Sequence, residues 1–187
     1  MIIKYINDIF TGMKRLICWN KTNTFDTFDN SSRGFIVSFI GVIITYLVFS
    51  AMIMNIGLRP KTIIPFIESI HGIVYMIIYF IIMFFISKFI NCRSRYLTYM
   101  VSYNWFLVFS NLIVLIICSI VFSFLNNITD TLFITIGCLA MLGMIGKTAY
   151  YWFMLRYGLH IESKITIVML IIGDWLLYVL TRWLGVM

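Results

Sequence analysis

From Gly34 to Gly57 the chain carries no charged residue, and this run limits the possible folds more than any other feature. At 1.5 Å per residue, a helix of that length crosses a hydrocarbon core of about 30 Å. A water-soluble helix or strand would instead show polar residues recurring on one side. Four further apolar runs follow, at 70–90, 99–125, 132–155 and 165–184. Composition agrees, because 62% of residues are hydrophobic and only 11% charged, against roughly 25% charged in a soluble domain. The expected fold class is all-α, a polytopic membrane helical bundle of about five transmembrane helices in one domain, 34–187, behind an N-terminal segment, 1–33.

That segment opens on an amphipathic pattern. Ile2, Ile6, Ile9, Met13 and Leu16 alternate steps of four and three, with Ile3, Phe10 and Ile17 flanking them, while Lys4, Asp8, Thr11, Lys14 and Arg15 fall on the other side. Such a stripe describes an interfacial helix whose basic residues meet anionic lipid. A helix packed on a partner protein is the alternative. The same charges interrupt residues 1–20 before a cleavable signal could form. Asn20 to Arg33 is polar, with Asn30, Ser31 and Ser32 suited to capping the next helix and Phe25 and Phe28 expected to dip into the interface.

Arg59-Pro60-Lys61 ends the first span. The stretch 63–90 is long for one untilted span and carries Pro65, Glu68 and His71 near its start, so 63–69 is expected to be interfacial and 70–90 to cross. Asn91 to Arg95 is a short basic loop, Asn126 to Thr131 a turn, and Arg156 to Lys164 a polar hairpin. With the N-terminus inside, ten basic residues fall in inner segments and three, Arg59, Lys61 and Arg182, in outer ones. This bias predicts a cytoplasmic N-terminus.

Chemistry-bearing motifs are absent: there is no G-x-S-x-G, H-E-x-x-H, Walker loop or G-x-G-x-x-G, so no enzyme activity and no cofactor are expected. Cys18, Cys92, Cys118 and Cys138 lack metal-site spacing and are read as free thiols, and no metal site is expected. Gly137, Ala140, Gly143, Gly146 and Ala149 recur every third residue, a row that lets a neighbouring helix approach closely. Tyr96, Tyr99 and Tyr103, with Tyr150, Tyr151, Trp152 and Tyr157, read as interfacial belt anchors.

Two charges, Lys147 and Asp174, lie well inside apolar runs, where each would cost about 2.5 to 3.5 kcal/mol unpaired. In an antiparallel hairpin facing residues share a constant sum of numbers. A Lys147 to Asp174 pair centres the turn between His160 and Ile161, inside the loop expected from polarity alone. Asn104 and Asn111 are possible polar neighbours of that pair.

The runs Val101-Ser102-Tyr103-Asn104-Trp105, Tyr150-Tyr151-Trp152-Phe153 and Asp174-Trp175-Leu176-Leu177, with Phe28-Asp29 before the first span, resemble an uncharacterised alphaproteobacterial family of five-helix inner-membrane proteins. Five helices behind a cytoplasmic N-terminus are also loosely similar to the Yip-domain membrane proteins, whose eukaryotic members act in membrane trafficking. The acidic and Gly-Pro N-terminal motif of that group is missing here. The resemblance implies a bacterial inner membrane. Abundant Ile beside only three alanines, Ala51, Ala140 and Ala149, fits an AT-rich genome and leaves an organellar inner membrane as the alternative.

The expected role is a non-enzymatic scaffold or accessory subunit, with the lipid bilayer and a membrane-protein partner or second copy as its contacts and no nucleic acid. A small transporter or channel component using Lys147 and Asp174 is the rival expectation.

Overall fold

The computed structural model describes residues 2–18, 24–56, 64–123, 146, 148–162, 165, 166 and 168. Helix α1 spans Ile2–Ile17, α2 Ser32–Ile56, α3 Ile64–Phe89 and α4 Tyr96–Ser123; α5 is the helical stretch 148–158. Short 3-10 turns at Phe25–Thr27 and Arg93–Arg95 join the first four, and no strand occurs among the described residues. Much of α2 to α4 is Ile, Val and Phe, which are indifferent helix formers in water. In lipid the choice is forced, because every backbone polar group must be satisfied within its own segment.

Among the described residues, three helices are long and apolar enough to cross a membrane, through Ser32–Met52, Gly72–Phe89 and Arg93–Ile117. Helix α3 runs unbroken from Ile64, with Pro65 in its first turn where the missing N–H costs nothing. Residues 64–69, expected to be interfacial, form the start of α3 and precede its candidate span. The fourth and fifth expected spans fall mostly outside the described residues, as do the side chains of Glu68 and His71; α5 continues to residue 158, past the expected end at 155.

Contacts fix the helix directions. Asn104 reaches Ser38 and Asn111 reaches Thr45, so α2 and α4 run parallel. Helix α3 is antiparallel to both: Phe80 meets Phe39, Gly72 lies under Tyr46, Tyr79 stacks on Tyr103 and Phe84 meets Tyr96. Helix α5 opposes α4, with Gly158 beside Tyr99 and Tyr150 beside Phe106. Of the three candidate spans, α4 is the most enclosed.

Chain ends at the loop-bearing end of this bundle are closed by local chemistry. After α3, Cys92 N–H donates to Ser87 C=O at 2.8 Å and Asn91 N–H to Lys88 C=O at 3.2 Å, a Schellman cap with Asn91 at φ 59°. His160 does the same work after α5, at φ 55°, with Ile161 N–H donating to Arg156 C=O at 3.1 Å. At the start of α2, Ser31 Oγ accepts from Gly34 N–H at 3.2 Å, the capping bond its sequence position predicts, and Asp29 Oδ1 accepts from Ser31 N–H at 3.1 Å.

The linker between α1 and α2 belongs to the core. Phe25 and Phe28 are buried, Phe25 against Phe153 and Gly158, which corrects the expectation that they dip into lipid. Asn30 Nδ2 holds the turn by donating to Phe25 C=O at 2.9 Å. Gly12 of α1 sits where a Cβ would come 2.7 Å from both the Phe28 ring and Thr27 Oγ1, so only glycine allows α1 to lie this close to the linker.

Candidate functional site

Polar side chains inside the bundle gather in two places. The first is the seam between α2 and α4. Asn104 Nδ2 donates to Ser38 Oγ at 3.0 Å, and Ser38 Oγ–H donates onward to Phe35 C=O at 2.8 Å. Two turns on, Asn111 Nδ2 donates to Thr45 Oγ1 at 3.3 Å, and Thr45 back-bonds to Val42 C=O at 2.8 Å. Ser119 Oγ lies 3.7 Å from Met52 Sδ in the next layer. The first two rungs are seven residues apart on both helices, the spacing that keeps one face of each helix on its neighbour. Between the first two rungs, Gly41 lets Val108 and Trp105 close onto α2.

The second is a tyrosine cluster on α3, α4 and α5. Tyr79 Oη and Tyr99 Oη are 2.6 Å apart, Tyr103 stacks on Tyr79 with ring centroids 4.8 Å apart, and Tyr103 packs against Tyr151 with ring centroids 5.3 Å apart. Tyr96 Oη donates to Phe80 C=O at 3.0 Å. Tyr99 is 0% exposed and Tyr103 4%, so these two are core residues and the belt expectation fails for them. Tyr150, Tyr151, Trp152 and Tyr157 are half-buried. The cluster can fix geometry and exchange hydrogen bonds.

Two buried polar atoms beside these groups have no hydrogen-bond partner among the described residues, Asn104 Oδ1 and Trp105 Nε1. Tyr5 Oη on α1 is a third. Burial first, then the Asp29 carboxylate, push the Tyr5 phenol up, while Arg33 acts the other way.

Around the loop-bearing end, Arg156 lies over both Trp152 and Tyr157 at 5.2 Å and Arg93 over Phe84 at 5.5 Å. Arg95 and Asp26 approach to 3.8 Å between exposed side chains, a contact of little energetic weight.

Lys147 and Asp174 lie outside the described residues, as do Gly137, Ala140 and Gly143. Ala149 is half-buried, and no described atom lies within 4 Å of a Cβ built at Gly146. Asn104 and Asn111, singled out from sequence as neighbours of a charged pair, donate to Ser38 and Thr45. The seven-residue spacing shared by 38 and 45 with 104 and 111 is the signal that could have paired them. Cys18 is exposed and Cys92 half-buried, both as free thiols. No cluster of metal-ligating side chains occurs among the described residues. No family model, curated protein or solved structure matches the chain.

Proposed function

We propose that this chain is a multi-pass protein of a bacterial inner membrane, N-terminus cytoplasmic, acting as a non-enzymatic scaffold or accessory subunit. The observation that carries this reading is the pairing of polar side chains between helices: Ser38 with Asn104, Thr45 with Asn111, Tyr79 with Tyr99. Groups consumed in locking helices together give a bundle a fixed shape and offer little to a substrate. The five-span count and the resemblance to five-helix inner-membrane proteins belong to the same proposal.

Purification in mild detergent should retain a stoichiometric partner that proximity labelling also marks in cells. A lone monomer without labelled neighbours rejects the role. Orientation is tested separately: a cysteine probe in 126–131 should label from outside intact cells and one in 91–95 should not.

A second reading, a small transporter or channel component, is favoured by the unpartnered Asn104 Oδ1 and Trp105 Nε1, since buried polar groups in membranes often mark pathways. In this version Lys147 and Asp174 form the relay. Flux of protons or small solutes in reconstituted liposomes, abolished by Lys147→Met with Asp174→Leu, would replace the first reading with the second.

A further inference from the structure

Helix α1 divides into three faces, where its sequence showed two. At about 100° per residue, Tyr5, Ile9, Gly12, Met13 and Leu16 form one sector, and Ile9, Met13 and Leu16 are buried against the protein. Next to it, Ile3, Ile6, Phe10 and Ile17 form a second apolar sector that stays exposed, 84% at Ile3 and 58% at Phe10. The remainder is polar, with Lys4, Asn7 and Lys14 exposed. A helix lying between protein and water has no use for the middle sector.

Its placement gives that sector a direction. The Ile17 carbonyl accepts from Tyr150 Oη of α5 at 2.9 Å, Phe10 meets Phe109 of α4 edge-on at 5.5 Å, and Tyr5 feels the charges of Asp29 and Arg33 at the start of α2. One helix thus touches α5, α4 and the linker that precedes α2, crossing the bundle. Phe109 lies one turn before the exposed apolar surface of α4, which begins at Leu112 and Ile113, while Gly12 and the buried linker lie toward the loop end. The exposed sector of α1 is therefore continuous with the apolar surface of the candidate spans.

We propose that α1 is an anionic-lipid-binding strap: its middle sector enters the acyl boundary, Lys4 and Lys14 engage lipid phosphates, and its inner sector, seated on the buried linker at Gly12, ties that lipid contact to the bundle. The occupant is lipid because the apolar sector continues an apolar membrane-spanning surface and because exposed Lys14 borders it, with exposed Lys4 farther round the polar face. This inference rests on membrane insertion of α2 to α4.

Spin labels on the full chain in nanodiscs test it, at Ile6→Cys, Phe10→Cys, Asn7→Cys and Lys14→Cys in a background without native cysteines. Positions 6 and 10 should be relaxed by oxygen, and 7 and 14 by a water-soluble nickel chelate. Chelate access at 6 and 10, or shielding of both from either reagent by a protein partner or a second copy, overturns the strap. A label at Ile116→Cys separates the premises, because failure of oxygen to reach it rejects membrane insertion itself. In native mass spectrometry the protein should retain phosphatidylglycerol over phosphatidylcholine, and Lys4→Gln with Lys14→Gln should weaken that preference roughly fivefold per lysine. Equal retention by the wild type, or a preference the double variant keeps, overturns the anionic-lipid assignment.

Discussion

The two halves of α4 differ in the side chains they carry and are used in opposite ways. Residues 98–108 are buried except for the half-buried Trp105, whereas in 112–120 Leu112, Ile113, Val114, Ile116, Ile117 and Ile120 are all exposed. The buried half holds Tyr99, Ser102, Tyr103, Asn104 and Phe106; apart from Ser119, the described exposed side chains of the other half are aliphatic. In lipid an exposed Ile loses nothing, since acyl chains are as apolar as a protein core. Side chains with shape or hydrogen-bonding capacity are worth enclosing, and here they are the ones enclosed.

The strongest attempt to break this contrast is Tyr99→Ala beside Ile116→Ala. The first should cost about 3–5 kcal/mol of stability in detergent, as large buried aromatic truncations do, and the second should stay within about 0.5 kcal/mol. Equal losses would mean that enclosure is not what matters. Next, Gly34→Ala should cost about 1–3 kcal/mol, because its Cβ would overlap the Asp29 carbonyl and the linker would have to shift; an unchanged melting temperature would show the linker yields freely.

Within the seam the contrast can be graded. Asn104→Ala, at a fully buried rung of 3.0 Å, should cost about 1–2 kcal/mol, and Asn111→Ala, at a half-buried rung of 3.3 Å, closer to the ~0.6 kcal/mol average of membrane hydrogen bonds. Double-mutant cycles with Ser38→Ala and Thr45→Ala should rank the couplings the same way. Smallest of all, Asp26→Asn should move stability by less than about 0.5 kcal/mol, since its side chain is 64% and that of Arg95 44% exposed; a larger effect would show the loop end to be tighter than its exposure implies.

The apolar run at 34–57, the basic loop at 91–95 and the capping serines before α2 were legible because each depends on chain-local chemistry: charge, length and a side chain one turn from an amide. Tyr99 and Tyr103 were not. A tyrosine within two turns of a loop has the same sequence signature whether it faces headgroups or a neighbouring helix, and only helix rotation decides. Phe25 and Phe28 pose the same ambiguity for a linker. Helix α1 hid its third face for a related reason: periodicity counts apolar residues without saying that protein covers Ile9 and lipid would cover Ile6. Asn104 and Asn111 were found as residues but not as rungs, since their partners lie in another helix whose register a single-helix count does not see.

Parallel packing of α2 with α4 also has a consequence for the order of synthesis. Asn104 emerges 66 residues after Ser38, so α2 enters the bilayer before its seam partner exists. It arrives already provided for, because the Ser38 and Thr45 hydroxyls donate to Phe35 and Val42 carbonyls one turn back and ask nothing of a neighbour. When α4 follows, its asparagines need only acceptors, and each hydroxyl oxygen still has a lone pair facing outward. The early helix can therefore reside alone in lipid without an exposed debt of hydrogen bonds, and assembly can wait for the later one.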